Sequence, residues 1–203
     1  MPKKFLNYVN NNPLIISCCM CGAGTRKEQA PTVPYTPDEI SDQVVEVAKA
    51  GAAVAHIHVR KDTEVNGNVI VGYKSMAIEK FTETVELCRK KCKEAGVDIV
   101  INLTTSGGEY EDEKRLQHLG KLKPEMCSFD PGTLNWANSY IFENSPRFLN
   151  KLGEEVIKQD VKPEFEVFDT GHIDSVKYYC DKWNIPQPAY YQFIMNVGGA
   201  MPG

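Results

Sequence analysis

Six short apolar runs alternate with five helical hydrophobic patterns along the chain, and that alternation leaves few folds open. The runs cover residues 14–21, 53–60, 97–105, 126–130, 165–169 and 190–197. They are short, apolar and bounded by glycine, proline or polar residues, as buried strands are. Between them, apolar residues recur every three or four positions. Ile40, Val44, Val47 and Ala48 share one helical face, as do Ile78, Phe81, Val85, Cys88 and Cys92. Leu116, Leu119 and Leu122 mark a third helix, Phe148, Leu152 and Val156 a fourth, and Ile173, Val176, Cys180 and Trp183 a fifth. Thr36-Pro37-Asp38-Glu39 reads as a capping box with proline at the first helical position, and Ser145-Pro146 as a second helix start. Gly51 and Gly96 read as stops. Strictly alternating strands and helices imply parallel strands joined by right-handed crossovers.

Two architectures share that pattern: an open doubly wound sheet and a closed (β/α)8 TIM-type barrel. Barrel enzymes carry their reactive groups at the C-terminal ends of several strands. Here the second run ends in His58 and Arg60, the third in Asn102, Thr104 and Ser106, the fourth in Asp130, and the fifth carries Glu166 and ends in Asp169. No glycine-rich dinucleotide fingerprint follows the first run. The barrel is therefore expected, as one α/β domain over residues 1–203. Six strands are two short of eight, so the sequence reads as lacking two β/α units at its C-terminal end.

Within the second run, Ala-His-Ile-His-Val-Arg alternates apolar and polar residues. On a strand His56, His58 and Arg60 share one face. Two imidazoles at i and i+2 can reach one metal ion at about 2.0–2.1 Å, and a half-exposed strand with a polar face is the plainer alternative. Thr104-Thr105-Ser106-Gly107-Gly108 follows a strand, where hydroxyls and glycine N–H groups can converge on an anion or simply form a turn. Asp130-Pro131-Gly132-Thr133-Leu134-Asn135 reads as a Pro-Gly turn carrying Thr133 and Asn135. Glu166 lies mid-strand among Phe165, Val167 and Phe168, which calls for function or a buried partner such as Arg60. Asp169 suits the cap of the following helix, ahead of His172. His118 reads as an exposed helix position, residues 61–68 as a polar loop, and Cys18, Cys19 and Cys21 as small buried strand residues.

Charge narrows the partners. A net charge of −4 supplies no field for nucleic acid or an anionic membrane, and no apolar run is long enough to span a bilayer. Residues 1–12 lack a signal-peptide core. Seven scattered cysteines read as reduced thiols, hence a cytoplasmic protein.

With HIHVR, NLTTSGG, DPGTLNW and EVFDTGH in this order, and with PYTPDEI, the chain resembles the β-keto acid cleavage enzymes from about residue 13 to its final Val-Gly-Gly-Ala-Met-Pro. The resemblance implies a β/α barrel and a zinc ion on two histidines, matched by His56 and His58, and a glutamate. It implies acyl exchange between a small β-keto acid and acetyl-CoA, giving acetoacetate and a new acyl-CoA, as in lysine fermentation. Ser106, Gly107, Thr133 and Asn135 match keto-acid contacts, and Glu166 matches the carboxylate that selects the distal group. The family's zinc-binding glutamate, the adjacent aspartate and a catalytic arginine are expected beyond Gly203, which leaves the catalytic residues unassigned. Gly24 stands at an acidic position of the family, with Glu28 as a stand-in. A full-length relative is expected to be a homo-oligomer. The alternatives are a shortened copy with little turnover by itself, and another metal-dependent barrel hydrolase or aldolase, since His-x-His serves those chemistries too.

Overall fold

A computed structural model describes residues 14–203. The reading of residues 1–12 therefore lies outside the described residues. The chain forms β1 (Ser17–Cys19), α1 (Pro37–Lys49), β2 (Val54–Ile57), β3 (Val59–Val65), β4 (Asn68–Ser75), α2 (Ile78–Ala95), β5 (Val100–Leu103) and α3 (Asp112–Leu122). It continues through β6 (Met126–Phe129), β7 (Leu134–Trp136), β8 (Tyr140–Phe142), α4 (Pro146–Lys158), β9 (Lys162–Val167), α5 (Gly171–Trp183) and β10 (Tyr190–Phe193). Six strands make one sheet in the order β1-β2-β5-β6-β9-β10, with every pairing parallel. Each step moves one place outward in chain order, as in a β/α barrel.

The sheet is curled, and side-chain contacts prove it. Strands β2 and β9 are three places apart, which is about 14 Å in a flat sheet. Yet Nδ1 of His56 on β2 lies 3.2 Å from Oε2 of Glu164 on β9. Only a concave sheet brings those two side chains together. The helices cover the convex face. One buried cluster joins Ile40, Val44, Phe81 and Cys88 to Ala55, Ile57, Ile101 and Leu103. A second joins Leu119, Leu152, Val156 and Val176 to Phe129, Phe165 and Val167. On each strand the apolar positions face the helices, and the alternate polar positions line the concavity.

The expected caps form. Thr36 accepts from the Glu39 backbone N–H while the Glu39 carboxylate accepts from the Thr36 N–H, and Ser145 caps α4. Lys27 and backbone N–H groups hold the Glu39 carboxyl down to about 2. Asp169 accepts from the Gly171 N–H at 2.8 Å and so serves the start of α5.

Three local readings are corrected. Residues 61–68 are not a loop but the turn end of the β3–β4 hairpin. Asn66 and Gly67 both take positive φ (52° and 76°), the conformation of an Asn-Gly hairpin turn. The hairpin's polar sequence reflects its projection from the sheet, with Val69 and Val71 exposed. The segment after Asp130 is likewise a short hairpin, β7–β8, turning at Ala137 and Asn138. His118 is fully buried and stacks on Phe81, with ring centroids 4.4 Å apart and planes 7° from parallel. Its helix packs on both neighbours, so its third face is not free. Among the described residues, no helix is long and apolar enough to cross a membrane.

Candidate metal and keto-acid site

The polar strand ends open into one cavity of about 1060 Å³ on the concave side of the sheet. His56 is the last inward residue of β2. His58 follows where the chain leaves the sheet for the hairpin. Their Nε2 atoms face each other at 3.1 Å. Two nitrogens bound to one tetrahedral ion at ordinary lengths sit about 3.3 Å apart. Two imidazole edges therefore already converge as a shared ion requires.

A carboxyl group stands behind the pair. Glu164 is fully buried, and its Oε2 accepts from Nδ1 of His56 and from the Asn102 side-chain amide. With Nδ1 donating, Nε2 of His56 keeps its lone pair toward His58 and the cavity. This is the carboxylate–histidine arrangement that orients metal-binding imidazoles. Burial, with His56 and Arg60 adding to it, drives the His58 pKa well below the ordinary range, so its ring is a neutral donor. The residues present thus fit a divalent ion.

Glu166 follows two positions after Glu164 and faces the same way. Its Oε1 lies 3.8 Å from Nδ1 of His56. Burial and the neighbouring Asp130 and Glu164 push Glu166 well above the usual carboxyl range, and burial also raises Asp130. The Glu166–Asp130 pair therefore holds a proton at the cavity wall. The expected buried partner of Glu166 is corrected here. Arg60 turns away and donates to the carbonyls of Gly72, Cys21 and Thr25 at 3.1, 2.8 and 3.1 Å. It ties the β1 loop to the hairpin and lies over the Tyr35 ring.

Ser106 and Gly107 line the cavity, at the end of β5. Thr104 donates its hydroxyl to Ser106 Oγ at 2.8 Å, which leaves the Ser106 O–H free to point at a ligand. Gly107 takes φ +107°, and a Cβ there would meet Tyr110 at 2.9 Å. Thr133 and Asn135 are exposed on the β7–β8 side and do not line the cavity. Thr133 Oγ1 instead accepts from the Asn144 N–H at 2.9 Å. Gly24 lines the cavity while Glu28 does not.

Sequence reasoning missed Glu164 and Cys19. Glu164 was legible: Glu-Phe-Glu-Val alternates as Ala-His-Ile-His does, once the strand is begun at Lys162 instead of Phe165. Cys19 is not a buried strand filler. It opens onto the cavity, and its sulfur lies within 4.8 Å of ligand atoms of both histidines.

The profile of the beta-keto acid cleavage enzyme family matches residues 13–203. The chain belongs to that family. It is 37% identical over 185 residues to a 3-keto-5-aminohexanoate cleavage enzyme of Fusobacterium nucleatum, covering 91% of this chain and 63% of that protein. The enzyme of the same name from Acetoanaerobium sticklandii is 38% identical, with 93% and 64% covered. A 3-dehydrocarnitine:acetyl-CoA trimethylamine transferase of Rhizobium meliloti is 32% identical, with 95% and 67% covered. The chain thus spans a little under two thirds of the length of the two cleavage enzymes. In three dimensions it resembles ObcA, with a TM-score of 0.68 at 22% identity, covering 82% of this chain and 37% of that one. That likeness concerns the fold.

Proposed function

We propose that this chain carries the zinc- and keto-acid-binding part of an enzyme that exchanges acyl groups between a β-keto acid and acetyl-CoA. The observation that carries the reading is the 3.1 Å convergence of His56 and His58, backed by Glu164, inside the family's cavity. The names of the relatives, which include a 3-oxoadipate:acetyl-CoA acetyltransferase from Cupriavidus necator, give the reaction class. When bound, a zinc ion supplies Lewis-acid stabilisation for the charge that develops on the keto oxygen as the α-proton leaves.

The chain's own residues have distinct tasks. His56 and His58 hold the ion. Glu164 fixes the His56 ring. The free hydroxyl of Ser106 donates to the substrate carboxylate, with Gly107 letting the chain approach closely. The proton shared by Glu166 and Asp130 offers a hydrogen bond to a distal group on the keto acid. The carbanion then attacks the acetyl thioester, CoA leaves, and CoA returns to cleave the lengthened chain into acetoacetate and the new acyl-CoA. Thr133 and Asn135 join such a site through movement of the β7–β8 hairpin. Seven free thiols suit a reducing cytoplasm.

The test is calorimetric titration of the zinc-loaded chain with β-keto acids, with acyl-CoA products followed by mass spectrometry when acetyl-CoA is added. Binding is expected to need zinc and to vanish in His56→Ala. A zinc-loaded chain that ignores every β-keto acid would end this reading.

A further inference from the structure

The cysteine on β1 belongs to the same cluster as the histidines, and its placement is set by the backbone. The β1–β2 register pairs Cys19 with His56. Paired residues on adjacent parallel strands share a face and stand about 4.8 Å apart. Cys19 therefore points into the concavity beside His56, not toward the helices. Its two neighbours do otherwise. Cys18 packs against the helix-side core, and Cys21 is buried and donates its thiol to the His58 carbonyl at 3.3 Å.

We infer that Cys19 is a third protein ligand of the metal ion held by His56 and His58. The inference rests on the metal reading above and adds a donor that the histidine motif does not foretell. The chemistry matches, because zinc takes sulfur at about 2.3 Å and nitrogen at about 2.0–2.1 Å in tetrahedral sites. Those lengths put sulfur about 3.6 Å from each nitrogen. The three donor atoms already lie within 4.8 Å of one another, so a side-chain adjustment of about 1 Å completes the set. On binding, the Sγ–H bond breaks, its proton leaves to solvent, and the sulfur lone pair forms the metal bond. No oxidant or reductant takes part. Three protein donors leave a fourth position open to substrate, the pattern of catalytic zinc sites. A thiolate also selects against hard ions. The site should take Zn2+, Co2+ and Cd2+ and refuse Mg2+.

Cobalt substitution reads the ligand directly. The Co2+-loaded chain should show the visible bands of a tetrahedral ion together with a near-ultraviolet sulfur-to-cobalt charge-transfer band. Cys19→Ser should abolish the charge-transfer band, keep the visible bands, and weaken cobalt binding by about tenfold or more. Cys18→Ser should leave both unchanged. A second measurement needs no variant: zinc should protect Cys19, and not Cys18, from alkylation of the native chain, as mapped by mass spectrometry. Visible bands that depend on His56 but come without charge transfer would leave the metal reading standing and remove Cys19 from it. A charge-transfer band that survives Cys19→Ser would do the same. No cobalt binding at all, or binding indifferent to His56→Ala, would bring down both.

Discussion

Replacing Glu164 by glutamine separates two roles that a buried carboxyl can play. In the structure its Oε2 receives two donors, Nδ1 of His56 and the Asn102 amide, while Oε1 has no hydrogen-bond partner. The glutamine carbonyl oxygen has two lone pairs and can receive both donors. Its amide nitrogen then falls where Oε1 was, at no cost in lost partners. Glu164→Gln should therefore change folding stability by no more than about 1 kcal/mol. What it does lose is the acidity contrast that makes the His56 ring a better donor. Loss of such an orienting carboxylate weakens metal binding by about 10–100-fold, or about 1.4–2.7 kcal/mol. Glu164→Leu is the contrast. It strands two buried donors at about 1–3 kcal/mol each, so stability should fall by about 2–6 kcal/mol. Zinc affinity by competition with a chelator and stability by urea denaturation, on the same preparations, give both numbers. Zinc bound as tightly by Glu164→Gln as by the native chain would refute the orienting role.

Two further outcomes follow from the same structure. Burial lowers the His118 pKa from 6.5 to about 3, with the Thr104 carbonyl opposing. Between those values the unfolded chain binds more protons than the folded one, so stability falls as pH drops below 6.5; His118 alone should cost about 2 kcal/mol between pH 7.5 and 5. His118→Leu should lose that part of the acid limb, and denaturation curves of equal pH slope in the two proteins would contradict it. Arg60→Lys should cost about 2–4 kcal/mol in urea denaturation, because one ammonium cannot serve the three carbonyls of Gly72, Cys21 and Thr25 from one position. A loss below about 0.5 kcal/mol would show that the tie is idle.

The strands and helices of the barrel-type sheet were readable because each buries one face, and burial imposes a period on the sequence. The two hairpins were not. They project from the sheet with little core of their own, so β3 and β4 lack the apolar alternation that announces a strand; only Asn66-Gly67 signalled the turn. His56 and His58 stood out because histidine is rare in this chain and the two share a strand face. Glu164 and Cys19 were hidden for a different reason. Their importance lies in what they meet across strands, three places away for Glu164 and one for Cys19, and no spacing along the sequence encodes that meeting. Arg60 shows the converse. Its strand position pointed to Glu166, but the chain departs from the sheet at His58 and carries Arg60 toward the loops.

The curl of the sheet has a thermodynamic consequence. His56 and Glu164 touch only because β2 and β9 bend toward one another, so whatever fastens to His56 also holds the bend. An ion that binds the curved chain and not a flattened one acts as a folding ligand, adding stability with the logarithm of its concentration over its dissociation constant. At a hundredfold excess over that constant the gain is about 2.7 kcal/mol. Chelation should accordingly loosen strands far from the ligands, and amide exchange in β9 should quicken along with that in β2.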